Sequence, residues 1–83
     1  MNPILADAIG LVGSALMVFA YAYSNMARAL NFVLFNMLNL VGSALLIASL
    51  AVHFNLASMA LEIVWAFIAA LGLAKALRRP AAR

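Results

Sequence analysis

The sequence predicts an all-α membrane domain: a bundle of three transmembrane helices, paired as a parallel homodimer. Three observations lead there. Of its 83 residues, 70% are hydrophobic and only 8% are charged. A soluble domain of this length needs far more polar material, because small bodies have a high ratio of surface to volume. The apolar residues also fall into three runs, each long enough to cross a bilayer. Finally, the polar residues inside the runs gather on helix faces and need a partner to face, which a two-fold dimer supplies. The length allows one domain, 1–83.

The first helix is expected over 4–23. At ~1.5 Å per residue it spans ~30 Å, the thickness of a hydrocarbon core. Pro3 suits the first turn, where its missing N–H is no loss, and Asn2 suits the cap. Tyr21 and Tyr23 fit an interfacial aromatic belt. A polar turn is expected from Ser24 and Asn25, with Arg28 just beyond. The first basic residue is Arg28, so the N-terminus lacks the basic opening of a secretory signal peptide and this helix is expected to be retained.

The second helix is expected over 29–52, interrupted by Asn31, Asn36, Asn39, Ser43 and Ser49. His53, Phe54 and Asn55 form the next turn. The third is expected over 56–77 and carries Glu62 and Trp65. A basic cytoplasmic tail, 78–83, follows, and Pro80 bars further helix.

Composition excludes several function classes. There is no cysteine, hence no disulfide, thiolate metal site or cysteine nucleophile. A single histidine, His53, is too little for a zinc or haem site, so no metal and no cofactor are expected. The net charge of +3 sits at helix ends, where it reads as a topology signal rather than a nucleic-acid patch. No nucleophile–base spacing, glycine-rich phosphate loop or metal cluster is present, so no catalytic residues and no enzyme activity are expected.

Four features carry what functional signal there is. Residues 11–16 read Leu-Val-Gly-Ser-Ala-Leu, and residues 40–45 repeat them letter for letter. Each copy puts Gly-Ser near mid-helix, and Ala6, Gly10 and Ser14 add a small-residue row at spacing four. Gly10, Gly13, Ser14, Gly42 and Ser43 are therefore expected to mediate close helix packing, with a substrate groove as the sharper alternative. Asn36, Asn39 and Ser43 share one face of the second helix, either as interhelical hydrogen-bonding groups or as a cavity wall. A charged carboxylate in lipid is costly, so Glu62 should face the bundle interior or a watery path. Its side of the helix carries Ser58, Ala66 and Ala69. Trp65 lies deeper than a belt residue should and needs a partner for its N–H. Asp7 and His53 lie near the outer face, where both read as solvated groups.

The opening Ile9-Gly10-Leu11-Val12-Gly13, the central Asn39-Leu40-Val41-Gly42-Ser43 and Trp65 resemble a family of uncharacterised small bacterial three-helix membrane domains. In that pattern an asparagine often stands three residues before the tryptophan, where this chain has Glu62. The layout is more distantly similar to the SemiSWEET sugar transporters and their PQ-loop relatives. Those are three-helix half-transporters that work as parallel dimers around an asparagine–tryptophan site. No Pro-Gln pair occurs here, and neither proline lies within a span. The resemblance implies a multi-pass protein of the bacterial inner (plasma) membrane.

The leading functional expectation is a transporter-like half-unit that dimerises around a path for a small polar solute, lined by Asn36, Asn39, Glu62 and Trp65. The competing one is an accessory or assembly subunit of a larger membrane complex. The two differ in where Glu62 points: an aqueous cavity favours transport, a dry protein contact the accessory role. The partners expected are the lipid bilayer, further copies of the chain, or a larger complex, and no nucleic acid.

With three spans, the first turn and the C-terminus share a side. Arg28, Lys75, Arg78, Arg79 and Arg83 all lie there. The positive-inside rule then places the C-terminus in the cytoplasm and the N-terminus outside. Reporter fusions at both ends check this, and a cytoplasmic N-terminal reporter would contradict it.

Overall fold

The computed structural model describes residues 1–78; residues 79–83 of the basic tail lie outside the described residues. Three helices follow in order: α1 (Pro3–Met26), α2 (Phe32–Leu50) and α3 (Leu56–Arg78). All three are long and apolar enough to cross a membrane. No more than 17% of any span's apolar window is buried within the chain. The remaining surface, with Leu11, Phe19, Val64 and Phe67 all more than half exposed, needs lipid or other helices. The molecule measures 45 × 22 × 19 Å, and its long axis matches a bilayer with its interfaces, ~40–45 Å.

The helix ends follow from local chemistry. The Asn2 side chain accepts from the Leu5 N–H, and Pro3 begins the helix behind it. α1 runs on through Ser24 and Asn25, where a turn was expected. Both side chains donate back to the Tyr21 carbonyl, at 2.7 Å and 3.0 Å, so their polar groups are served without leaving the helix. α2 starts at Phe32 rather than 29, because Asn31 is extended and caps it, accepting from the Leu34 N–H at 3.1 Å. The Tyr23 hydroxyl accepts from the Asn31 N–H at 2.8 Å and braces the turn between α1 and α2. Asn55 accepts from the Ser58 N–H at 2.9 Å and starts α3 in the same way.

α2 is the central element. It packs on α1 along one side and on α3 along another, and among the described residues no Cα of α1 comes within 8 Å of one of α3. The three helices therefore do not close into a three-sided bundle.

The α1–α2 contact is made of small residues. Ala6, Gly10, Gly13 and Ala20 are buried on α1, and Gly42, Ser43 and Ser49 on α2. Ser14 is only half-buried, because the seam passes through Gly13 instead of continuing at spacing four. The two glycines of the repeated hexapeptide meet at the crossing. A Cβ on Gly13 would lie 2.7 Å from the Gly42 carbonyl oxygen, and one on Gly42 would lie 2.8 Å from that of Gly13. The neighbours are also paired: Gly13 faces Leu45 and Leu46, and Gly42 faces Leu16 and Met17. Adding 29 to the α1 number gives the α2 partner each time, so the repeat places a local two-fold axis at the crossing. Lipid offers no hydrophobic force to drive helices together, so van der Waals contact between backbones must do so, and that needs small residues.

The crossing predicts the effect of one methyl group. Gly13→Ala pushes against backbone atoms, which cannot rotate away, and should destabilise the fold by ~1–3 kcal/mol as overpacking does. Gly10→Ala meets side-chain atoms alone, nearest of them the rotatable Ser49 hydroxyl, and should be milder. Thermal unfolding in mild detergent checks the order; a Gly13→Ala protein as stable as the native one would mean the helices do not cross there.

Candidate functional site

The polar residues of α2 and α3 meet along the α2–α3 seam. Near mid-membrane the Trp65 indole N–H donates to Asn39 Oδ1 at 2.9 Å. Indole nitrogen only donates, which fixes the orientation of the amide. The Asn39 Nδ2 then donates to the Phe35 carbonyl at 2.9 Å. Asn39 is only 6% exposed, so both ends of a buried amide are engaged within the chain.

One turn toward the basic end, the Asn36 Nδ2 donates to the Phe32 carbonyl at 2.8 Å, and its Oδ1 lies against Gly72 of α3. A side chain on Gly72 would overlap the Asn36 amide, so this glycine sets the approach of α3 to the first turns of α2. Ala69 and Ala76 are buried on the same side of α3.

One turn the other way, Glu62 faces Ser43 of α2. Ser43 is completely buried, and its hydroxyl makes a long donation to Met17 Sδ of α1 at 3.9 Å. Glu62 Oε1 is buried with no hydrogen-bond partner among the described residues.

Asn36, Asn39 and Trp65, together with Phe35, Ile68 and Ala69, line a groove of ≈ 190 Å³. Glu62 is not one of its lining residues. Three of the four residues expected on a substrate path thus share one groove, and the fourth is packed against α2 a turn away. The polar atoms of the groove are largely turned to each other, so its inner surface is mainly apolar.

The end opposite the basic residues is tied by His53, whose Nε2 lies 3.1 Å from Asp7 Oδ1 and 3.2 Å from the Pro3 carbonyl. Both side chains are substantially exposed, so the pair adds little stability, though it joins the second turn to the start of α1. In the sequence the two read as separate solvated groups, because 46 residues separate them along the chain.

Met17, Gly72 and Lys75 contribute to the seams but are not among the expected site residues. Ala69, Gly72 and Ala76, at spacings of three and four, form a small-residue row that could have marked the α3 contact. Nothing in the sequence marks Met17 as the partner of Ser43.

A protein-family model matches residues 6–80 of the chain. No curated protein and no solved structure matches it, so these comparisons lend no support to a SemiSWEET or PQ-loop relationship. The match covers most of the chain, and the chain belongs to this family, which is uncharacterised.

Proposed function

We propose that this small three-span membrane protein is an accessory or assembly unit, which becomes complete only when packed against further membrane helices. The observation that supports this is Glu62 Oε1, buried without a donor. A buried polar atom left unpaired destabilises the structure that holds it. A helix from a second copy or from another membrane protein can present that donor when it covers the seam. The half-buried Ser14 face of α1 suits the same role. It corresponds through the local two-fold to Ser43, which α3 covers on α2. The mainly apolar groove and the internally satisfied Asn39 also offer little to a polar solute.

The second reading is the transporter-like half-unit, a homodimer around a path for a small polar solute. It is favoured by the line of Asn36, Asn39, Trp65 and Glu62 across the middle of the membrane. In that reading, water in an opened path supplies the missing donor.

Two substitutions at Glu62 separate the readings. In the assembly reading, Glu62→Gln keeps an acceptor and should leave the oligomer intact. Glu62→Leu should weaken it by ~1–3 kcal/mol, since the partner's donor is left unpaired. Mass measurement of the complex in native membranes, with each variant, reads the assembly. Uptake of small polar solutes by reconstituted vesicles reads transport. Solute uptake by the native protein that Glu62→Gln alters would establish the half-unit instead. A native mass equal to one chain would remove the assembly reading.

A second prediction concerns the Asn39–Trp65 pair. Asn39→Leu leaves the indole N–H unpaired, and Trp65→Phe leaves the amide oxygen unpaired. Each should lower stability by ~0.5–2 kcal/mol, and the double variant should lose less than the sum. Additive losses in thermal unfolding would mean that the pair does not form in the membrane.

A further inference from the structure

We propose that the α2–α3 groove binds one anionic phospholipid, with its phosphate at Lys75 and an acyl chain lying along Trp65. This inference does not depend on the assembly reading. Two adjoining hollows follow the seam. The one at mid-membrane has Trp65, Ile68 and Ala69 along its α3 wall. The other, of ≈ 220 Å³, is bounded by Phe32, Asn36, Gly72, Lys75 and Ala76 and lies at the basic end of the helices. Asn36 belongs to both and forms the step between them. Together they make a trough that is apolar in the depth of the membrane and cationic at its mouth, matching the amphipathic form of a phospholipid.

Charge decides which phospholipid. The Lys75 ammonium has no ion pair among the described residues. The chain has only two acids, Asp7 and Glu62. Asp7 is held by His53 at the opposite end, and Glu62 lies thirteen residues from Lys75 on α3, ~20 Å along the axis. Arg28 and Arg78 add positive charge at the same end. Among the described residues no carboxylate lies within reach of Lys75, and a lipid phosphate of the surrounding membrane can serve as its counterion. Basic pockets between membrane helices at the interface suit anionic headgroups. A covering protein helix would fill the apolar trough but would need an acid of its own at this level to pair with the ammonium.

Length agrees with this placement. Ten residues separate Lys75 from Trp65, ~15 Å of helix and about half the hydrocarbon thickness. A chain hanging from a phosphate at Lys75 thus passes Trp65 near its middle carbons. Trp65 is 42% exposed, which leaves part of the ring free for that contact.

Trp65 is the only tryptophan in the chain, so its fluorescence reports this site alone. The full chain is reconstituted into phosphatidylcholine vesicles, and a fraction of lipid brominated at mid-chain is added as either phosphatidylglycerol or phosphatidylcholine. Bromine quenches tryptophan on contact. The anionic bromolipid should quench Trp65 at lower mole fraction, with a preference on the order of fivefold, the factor that one interfacial lysine supplies. Lys75→Gln should bring the preference to unity, and Lys75→Arg should retain it. Arg78→Gln removes the same charge from the same end of the helix but is not a wall of the trough, and should keep most of the preference. An unchanged emission maximum without bromolipid shows that each variant holds Trp65 as the native chain does. Equal quenching by the two bromolipids overturns the proposal. So do equal losses in Lys75→Gln and Arg78→Gln, which would indicate a diffuse surface potential instead of a seated headgroup.

Discussion

The rest of the structure depends on the backbone contact between Gly13 and Gly42. In water, a helix pair this poor in large buried side chains would have little to hold it. In lipid, an exposed leucine gains nothing by turning inward, so association rests on close dispersion contact and on hydrogen bonds. The largest side chain with no measurable exposure is Ser43, which shows how little of the contact comes from bulky residues. The glycine crossing brings α1 and α2 near enough for Met17 to reach Ser43 and Leu45 to reach Gly13. It also fixes the rotation of α2, and with it the side on which Asn36, Asn39 and Ser43 receive α3.

The two seams of α2 divide the stabilising forces. Against α1 the contact is steric and almost free of polar bonds. Against α3 it is polar, through the indole–amide bond and the Asn36 approach to Gly72. The seams meet at Ser43, which touches Met17 of α1 and faces Glu62 of α3. A change there is felt by both outer helices, although no Cα of one comes within 8 Å of the other. α1 and α2 carry the same six residues and meet symmetrically, yet only α2 has a third helix on its Ser position. Ser14 on α1 keeps the equivalent face open.

A single chain thus presents an uncovered helix face, a carboxyl oxygen without a donor and a trough with a lysine at its mouth. Each leaves a need that the single chain does not meet, and the three differ in chemistry. A donor from a neighbouring helix suits the first two, and a lipid anion suits the third.

Much of this was legible in the sequence. Three spans follow from hydropathy alone, because each run of about twenty apolar residues matches the hydrocarbon thickness of a bilayer and the chain is too short to bury three of them in a core of its own. The one-sided distribution of Arg28, Lys75 and Arg78 and the packing role of small residues at the repeat were equally open to reading. The helix ends were less so: whether Ser24 and Asn25 end a helix or bond back to Tyr21 depends on side-chain rotamers that composition does not set. Only the tertiary structure decided which faces meet. Periodicity places Asn36, Asn39 and Ser43 on one face of α2 but not what that face touches, since the hydrophobic pattern of a membrane helix is nearly uniform around its axis. The pairing of Asn39 with Trp65, Gly13 with Gly42 and His53 with Asp7 is set by inter-helix distance and rotation. Those are properties of the packed helices together, and no single segment encodes them.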